Sequence, residues 1–362
     1  MTAAGAAAYT PRPGVIFNWP IGTRAEKLRI ITHMNRTIRS TPRGAEIKIA
    51  QYSFDRPEIT ESLLEAYRRG VSVQMLLNDN WTTRQTLRLQ RVIGKDRAKR
   101  SFVYICHGPC RGRGGNLHSK FFLFSRAGAA RNVVMVGSAN MTDNSALIQW
   151  NDMFTVRSRG MYDLYSRVFA EMVPDRPVST PYIKATVGDL ENEFYPIYQP
   201  TRAKDPVLQR LNAVRCRGAT GGTGAGGRTV IKIAMFGWAG TRGDYLADKV
   251  ASLRRNGCNI RVIVSRSGGH VVRTLKAAGI PVKSASFDRN HNGSIDLYTH
   301  TKYMLLSGRY RGGSSWNVWT GSANWAARSF NNDEATVRIP RRSTYLRYSG
   351  HFARLWATAY WL

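Results

Sequence analysis

The sequence has no run of about 20 consecutive apolar residues, the length that a membrane-spanning helix requires. It also shows no charged segment followed by an apolar one near its start, so a signal peptide is not recognisable in it. Residues 2–9 are small or uncharged, and we expect them to form the flexible terminus of a mature, secreted chain. These features argue against a protein built on membrane-spanning helices.

Acidic residues are scarce. The chain of 362 residues has 23 Asp and Glu against 54 Lys and Arg, a formal net charge of +31. Such an excess repels itself and costs stability, so it favours a polyanionic partner, either nucleic acid or an anionic phospholipid surface. A solvated surface rich in Arg is the plainer explanation for many of these residues individually. It does not explain why so few acids balance them.

Cysteine is also rare, with four residues in the whole chain. Cys106 and Cys110 have a spacing that closes a loop, while Cys216 and Cys258 flank the start of the second half. We expect two disulfides and an extracellular setting, with four unpaired thiols as the alternative. A zinc site is less favoured, because no second Cys or His pair lies at ligand spacing.

The chain contains two copies of one unit. The landmarks recur with a nearly constant offset: Ile47-Lys-Ile-Ala50 as Ile231-Lys-Ile-Ala234, Gly137-Ser-Ala-Asn140 as Gly321-Ser-Ala-Asn324, and His118-x-Lys120 as His300-x-Lys302. We therefore predict a first half over residues 1–185 and a second half over 229–362. Between them we expect a linker and a Gly-rich loop over 186–228, since 174–206 is punctuated by Pro and 218–227 is nearly all Gly and Thr.

Each copy alternates apolar runs with an amphipathic stretch. Glu46 to Tyr52 and Thr229 to Phe236 predict buried strands, each followed by a helical pattern and a second apolar run. Strand, helix and strand at this spacing predict a parallel βαβ unit in each half, hence an α/β fold. The polar motifs then lie at strand ends, where open α/β sheets place their functional sites.

Each copy also carries the residues for phosphoryl transfer. His and Lys two apart on a strand point to the same face, and each pair is followed by Gly-Ser-Ala-Asn. If a two-fold brings the copies together, one His can attack phosphorus, the other can protonate the leaving oxygen, and Lys and Asn can hold the remaining oxygens. No metal or other cofactor is required for this chemistry. The candidate catalytic residues are His118, Lys120, Asn140, His300, Lys302 and Asn324.

This duplicated pattern closely resembles the H-x-K…G-S-x-N motif of the phospholipase D superfamily, and the resemblance covers both halves. It implies two α/β/α sandwich halves related by a pseudo-two-fold, with one active site at their interface and a covalent phosphohistidine intermediate. It further implies His118 as the nucleophile and His300 as the general acid. A catalytically idle binder of polyanions is a further alternative, which intact His and Lys in both copies oppose.

The pattern departs from the family at one position. The Asp that the family carries five residues after each Lys is Ser125 in the first half and Ser307 in the second. The resemblance also implies an acid that orients each His, with Glu334 as the candidate in the second half and Asp152 in the first. Ser138 and Ser322 of the Gly-Ser-Ala-Asn turns complete the supporting set.

One segment has the start of a calcium-binding loop. Asp288, Asn290, Asn292 and Asp296 place side-chain oxygens at alternating positions, but Thr299 stands where a Glu would close the site. A turn rich in Asx residues is the favoured interpretation, with calcium as the alternative.

The substrate is predicted from charge and aromatic residues. Nucleic acid is favoured, because the charge attracts polyphosphates and Trp side chains near the motifs can stack on bases. A membrane phospholipid is the alternative, since the same charge draws a protein to anionic lipid. Both half-sites lie in one chain, so a monomer without a protein partner suffices. The Trp candidates are Trp81, Trp238, Trp316, Trp319 and Trp325. Packing in the core or at its rim is the alternative, which we expect for at least half of them.

Overall fold

The computed structural model describes residues 8–362, so nearly all of the predicted flexible terminus over 2–9 lies outside the described residues. Among the helices described, none combines the length and the apolar character needed to cross a membrane. The helices are α1 Arg24–Lys27, α2 Arg29–Arg39, α3 Pro57–Arg68, α4 Arg84–Ile93, α5 Asp143–Leu147, α6 Arg159–Met172, α7 Pro206–Asn212, α8 Gly240–Arg255, α9 Gly269–Ala277 and α10 Arg342–Thr358.

The first half is built on a seven-stranded sheet with the order β1-β8-β6-β5-β2-β3-β4. A short strand, β7, lies apart from it and pairs in parallel with β16 of the second half. The strands are β1 Gly14–Phe17, β2 Glu46–Gln51, β3 Ser72–Asn78, β4 Phe102–Cys106, β5 Lys120–Ala127, β6 Ala130–Gly137, β7 Gln149–Trp150 and β8 Asp152–Arg157.

The second half is built on an eleven-stranded sheet, whose main path runs β21-β14-β13-β12-β17-β18-β20-β10-β9. Strand β11 pairs with β17 and β19 pairs with β12. The strands are β9 Ile183–Val187, β10 Leu190–Phe194, β11 Val214–Arg215, β12 Val230–Ala239, β13 Asn259–Ser267, β14 Val282–Ser284, β15 Ser286–Phe287, β16 Leu297–Thr299, β17 Lys302–Tyr310, β18 Gly313–Gly321, β19 Trp325–Ala326, β20 Ala335–Ile339 and β21 Tyr360–Trp361.

The two sheets repeat one topology. The path β8-β6-β5-β2-β3-β4 of the first corresponds strand for strand to β20-β18-β17-β12-β13-β14 of the second. Helix α3 connects the parallel pair β2 and β3, and α8 connects the parallel pair β12 and β13. Gly70 and Gly257 follow these helices with φ of +85° and +96°, values that glycine adopts without strain. The predicted α/β fold with duplicated βαβ units is confirmed.

Apolar packing forms three layers, of which the middle one holds the halves together. Helices α2, α3 and α4 cover the outer face of the first sheet, and α7, α8 and α9 cover that of the second. The inner faces share one core with α6 and α10, in which Phe121 and Phe154 of the first half belong to the same cluster as Tyr303 and Val318 of the second. This shared core joins the inner faces of the two sheets, and it brings the start of β5 in the first half close to the start of β17 in the second.

The segment over 186–228 is more structured than the predicted linker. Strands β9 and β10 form a hairpin that pairs with β20 and so extends the second sheet, and the predicted boundary at 185 falls inside β9. Helix α7 buries Val207 and Leu211 in the second core. The Pro residues that suggested a linker flank these elements, and prolines are tolerated at such sheet-edge positions. The Gly-rich loop lies at the far end of β17, where Gly224 N donates to Ser307 Oγ at 2.9 Å.

Both predicted disulfides are formed, Cys106–Cys110 in the first half and Cys216–Cys258 in the second. Such bonds persist in oxidising compartments, which agrees with the extracellular setting expected from the sequence.

Candidate active site

A cavity of about 530 Å³ opens where the halves meet, at the ends of β5 and β17. Side chains from both halves line it, including both motif histidines and both motif asparagines. The predicted pairing of two half-sites into one pocket is therefore seen in the structure.

His118 lies two residues before β5, which begins at Lys120, and is fixed by the opposite half. Its backbone N donates to Asp333 O at 3.0 Å, and its Nδ1 lies 2.8 Å from Glu334 Oε2. Since a carboxylate only accepts, Nδ1 carries the proton and Nε2 presents its lone pair to the cavity. Lys120 is fully buried, and its Nζ donates to the carbonyl of His118.

His300 has the equivalent place before β17. Its backbone N donates to Trp150 O at 2.9 Å, and its Nδ1 lies 3.0 Å from Asn151 Oδ1. Lys302 Nζ donates to His300 O at 2.5 Å, as Lys120 does in the other copy. The two histidines are thus held in the same way by the opposite half. One residue there binds the backbone N of the histidine, and the next residue in the chain binds its Nδ1.

The orienting partner of His300 is Asn151 and not Asp152, which corrects the sequence-based assignment. Asp152 is fully buried on the opposite side of β8, where its Oδ2 accepts hydrogen bonds from Tyr348 OH at 2.6 Å and from Thr320 Oγ1. Successive residues of a strand point to opposite faces, so only one of the pair can reach the histidine. Asp152 instead bridges the two halves away from the cavity.

The two supporting serines hold these partners in the same way. Ser138 Oγ donates to Asn151 Oδ1 at 2.9 Å, and Ser322 Oγ donates to Glu334 Oε2. Because Asn151 Oδ1 accepts from Ser138, it also acts as an acceptor for His300, whose Nδ1 therefore carries a proton. The two half-sites share one scaffold but differ in charge, with a carboxylate behind His118 and a neutral amide behind His300.

The motif asparagines have equivalent anchors. Asn140 Oδ1 accepts from Ser53 N at 3.4 Å, and Asn324 Oδ1 accepts from Gly237 N at 3.1 Å. With each oxygen occupied by the backbone, the amide NH₂ groups remain available to donate to a ligand in the cavity.

Burial controls the charges of the site. Burial lowers the pKa of His118 to about 4, against the opposing effect of Glu334, and lowers the pKa of Lys120 to about 7. Burial, reinforced by the two lysines, lowers the pKa of His300 well below 6.5. Burial alone would raise the pKa of Glu334, but the neighbouring His118 and Lys120 lower it, so this residue remains a carboxylate. An anion in the cavity would offset the repulsion among these cations.

Two aromatic residues that the sequence analysis missed cover the histidines. The rings of Tyr52 and His118 lie edge to face at 5.3 Å, and those of Phe236 and His300 at 4.9 Å. Tyr52 directly follows β2 and Phe236 lies within β12, at equivalent positions of the two copies, so the repeat itself carried a signal for them. Their difference is the hydroxyl group, which only Tyr52 brings to the cavity.

Most of the candidate base-stacking tryptophans lie in the core, as the alternative expected for at least half of them. Trp238, Trp319 and Trp325 are buried in the core of the second half, and Trp316 is half-buried beneath Arg342. Trp81 lines the cavity with 44% of its surface exposed, so it alone of the five predicted residues is placed to stack on a ligand there.

The serines that replace the family's Asp lie far from the cavity. Ser125 Oγ accepts from Glu46 N at 2.8 Å, and Ser307 Oγ accepts from Gly224 N. Five residues of strand separate each from its Lys, a distance of roughly 17 Å. They bind neighbouring backbone groups, so the substitution leaves the cavity intact.

The loop considered for calcium closes on itself. Asp288 accepts hydrogen bonds from the backbone N of Asn292 and Gly293, and Asp296 accepts one from that of Arg289, at 2.7–3.2 Å. These are the bonds of an Asx-rich turn. Asn290 Oδ1 also accepts from Asn292 N. The oxygens that would bind an ion are thus engaged with the loop backbone.

Comparisons with known proteins agree with the family resemblance that the sequence motifs indicated. Residues 34–173 and 226–356, together more than half of the chain, match the family described as "Cardiolipin synthase, PLD-like domain". No curated protein sequence matches significantly.

Solved structures share the fold at low identity. Polyphosphate kinase from Porphyromonas gingivalis is 17% identical with a TM-score of 0.60. The match covers 95% of this chain and 50% of the kinase chain. This chain thus spans half the length of that kinase. Phosphatidylserine synthase from Haemophilus influenzae is 13% identical with a TM-score of 0.60. The match covers 94% of this chain and 86% of the synthase. The chain belongs to the phospholipase D superfamily, whose members are phosphodiesterases and transferases that act on phosphodiester bonds.

Proposed function

We propose that this protein is a secreted, metal-independent nuclease that hydrolyses phosphodiester bonds of DNA or RNA through a phosphohistidine intermediate. The observation that supports the chemistry is the convergence of two histidines and two Asn side chains on one cavity, with a buried Lys hydrogen-bonded to the backbone of each histidine. The residues proposed to act are His118, Lys120, Asn140, His300, Lys302 and Asn324.

The difference between Glu334 and Asn151 supports an order for the two histidines. In the first step His118 Nε2 attacks phosphorus, the bond to the leaving oxygen breaks, and His300 donates its Nε2 proton to that oxygen. The carboxylate of Glu334 stabilises the positive charge that the phosphorylated imidazole of His118 gains. Asn151 is neutral and does not hold the His300 cation, so His300 releases its proton readily.

In the second step the neutral His300 removes a proton from water, whose oxygen attacks phosphorus. The bond between phosphorus and His118 Nε2 breaks, and the electron pair returns to that nitrogen. Lys120, Lys302 and the two asparagines hold the non-bridging oxygens throughout. The products are a phosphomonoester and an alcohol.

Nucleic acid is supported as the substrate by charge and by the composition of the cavity wall. The chain carries a formal charge of +31, and the wall consists of polar, cationic and aromatic side chains, with Trp81 exposed. Polyphosphates gain affinity from the release of counterions by such a surface, and aromatic rings stack on bases.

Phospholipid is the second candidate, and one observation favours it. Trp81, Leu147 and Ile295 are exposed apolar side chains on segments that adjoin cavity-lining residues, where they can enter a membrane interface.

The test offers single-stranded DNA, plasmid DNA, RNA and phosphatidylcholine vesicles side by side, with and without EDTA. We expect cleavage of nucleic acid that persists in EDTA. Cleavage of lipid with intact nucleic acid would reverse the order of the two candidates. Restoration of lost activity by calcium would overturn the metal-independent mechanism.

A further inference from the structure

Two arginines at the cavity mouth lack a counter-charge. Arg266 and Arg328 both line the cavity and are exposed. Within residues 8–362 neither forms an ion pair with a carboxylate. Some other arginines of the fold are paired, as Arg242 is with Asp205 at 2.9 Å. The guanidinium groups at the mouth are therefore free to bind an anion.

The two arginines lie beside different histidines. Arg328 Nη2 is 3.1 Å from the side-chain oxygen of Asn116, when that amide is oriented to donate to Gly115 O, and Asn116 precedes His118 by two residues. Arg266 of β13 pairs with Gly237 of β12. Gly237 directly follows Phe236, whose ring packs on His300. One guanidinium is thus available on each side of the reacting centre.

Each side also offers an aromatic ring. Trp81 is exposed in the cavity wall. The ring of Tyr298 lies 6.4 Å from that of His300, and its hydroxyl accepts from Gln149 Nε2 at 2.5 Å. An aromatic ring next to a free guanidinium is the combination that binds a nucleotide, by stacking on the base and pairing with the phosphate.

The internal repeat shows that the Gly-Ser-Ala-Asn turn folds without a cation at the position of Arg328. Arg328 follows Asn324 by four residues, and the equivalent position after Asn140 is Asn144, which also lines the cavity. The motif folds in the same way with a neutral amide there. Arg328 therefore adds a binding function to one half-site.

We propose that Arg328 and Arg266 bind the phosphates that flank the scissile phosphate, so that the preferred substrate is a nucleic acid strand cut at internal bonds. This inference rests on the proposed nuclease function. Guanidinium groups bind phosphate oxygens in pairs, and only a polymer supplies a phosphate on both sides of the bond that breaks. A diester with a single phosphate would reach the histidines without engaging either arginine.

The test compares two substrates that differ in flanking phosphates, bis(p-nitrophenyl) phosphate and a single-stranded DNA of twelve nucleotides. We expect Arg266→Ala and Arg328→Ala each to lower kcat/KM on the oligonucleotide by about tenfold or more, because each removes a charge-assisted contact. Both variants should lose much less activity on the small diester, which carries no flanking phosphate. Arg91→Ala is the matched control, since Arg91 is an exposed residue of α4 outside the cavity.

The outcomes separate the inference from the proposed function. If the wild-type protein cleaves the small diester but no nucleic acid, both the nuclease function and the flanking subsites are wrong. If it cleaves the oligonucleotide and the cavity variants match Arg91→Ala, the subsites alone are wrong. An equal loss on the small diester would assign the arginines to catalysis and would also overturn the inference.

Discussion

The carboxylate of Glu334 lies 2.8 Å from Nδ1 of His118, across the interface between the two halves. We expect Glu334→Gln to lower kcat by about 10- to 100-fold with little change in KM, because the buried carboxylate stabilises the charged imidazole and does not touch the substrate. Steady-state kinetics on bis(p-nitrophenyl) phosphate measures this directly. Since Gln can still accept a hydrogen bond, a variant with unchanged kcat would show that the negative charge is not used.

The order of the two histidines can be tested with a good leaving group. p-Nitrophenolate leaves without being protonated, so His300→Ala should release about one equivalent of it from bis(p-nitrophenyl) phosphate and then stop as the phosphohistidine on His118. His118→Ala should release none. Stopped-flow absorbance and the mass of the trapped protein give the result, and a burst from His118→Ala alone would reverse the assignment.

The pH dependence follows from the two lowered pKa values. The attacking His118 must be neutral, so kcat/KM should fall as the pH drops through about 4. The acid His300 must be protonated, so activity should also fall as the pH rises above its pKa, which burial places below 6.5. We therefore expect a bell-shaped profile with its optimum on the acidic side of 6.5.

Replacing the neutral partner of His300 should move one limb of that profile. Asn151→Asp places a carboxylate beside the ring, which raises the pKa of His300, so the alkaline limb should shift to higher pH while the acidic limb stays. Ser138→Ala serves as a control, because it removes a hydrogen bond to Asn151 without adding charge. A shift of the acidic limb instead would indicate that Asn151 acts on the nucleophile.

The sequence predicted the fold and the meeting of the two motif histidines and asparagines in one cavity, because both leave periodic signals. The repeated Ile-Lys-Ile-Ala runs identified β2 and β12, and the two His-x-Lys pairs precede β5 and β17 as expected. The predicted disulfides also formed. These features depend on local pattern and on comparison of the two halves.

The errors concern choices that only packing decides. Asp152 resembled Glu334 in chemistry, but the strand turns it away and presents Asn151. The sequence also left open which of the five tryptophans pack in the core, and the second core buries Trp238 and Trp325. The pairing of β10 with β20 is a long-range contact, which a Pro-rich sequence does not reveal.

The two disulfides should differ in their effect on activity. Asp333 Oδ2 accepts from Cys110 N at 2.6 Å and from Arg111 N at 3.2 Å, so the loop closed by Cys106 and Cys110 is tied to the residue before Glu334. Replacing both cysteines of this loop by Ser should lower kcat, because Glu334 loses part of its support. The expected loss of stability is only about 2 kcal/mol, since the closed loop is short.

The Cys216–Cys258 disulfide provides the matched control. It closes a loop with a sequence separation of 42 and lies in the core of the second half, outside the cavity lining. Its double Ser variant should lose about 4 kcal/mol of unfolding free energy and keep kcat near the wild-type value while folded. Urea unfolding and kcat measured below each transition separate the two effects. Equal kcat values in the two variants would show that the loop at Cys110 does not position Glu334, because only the first disulfide is linked to that residue.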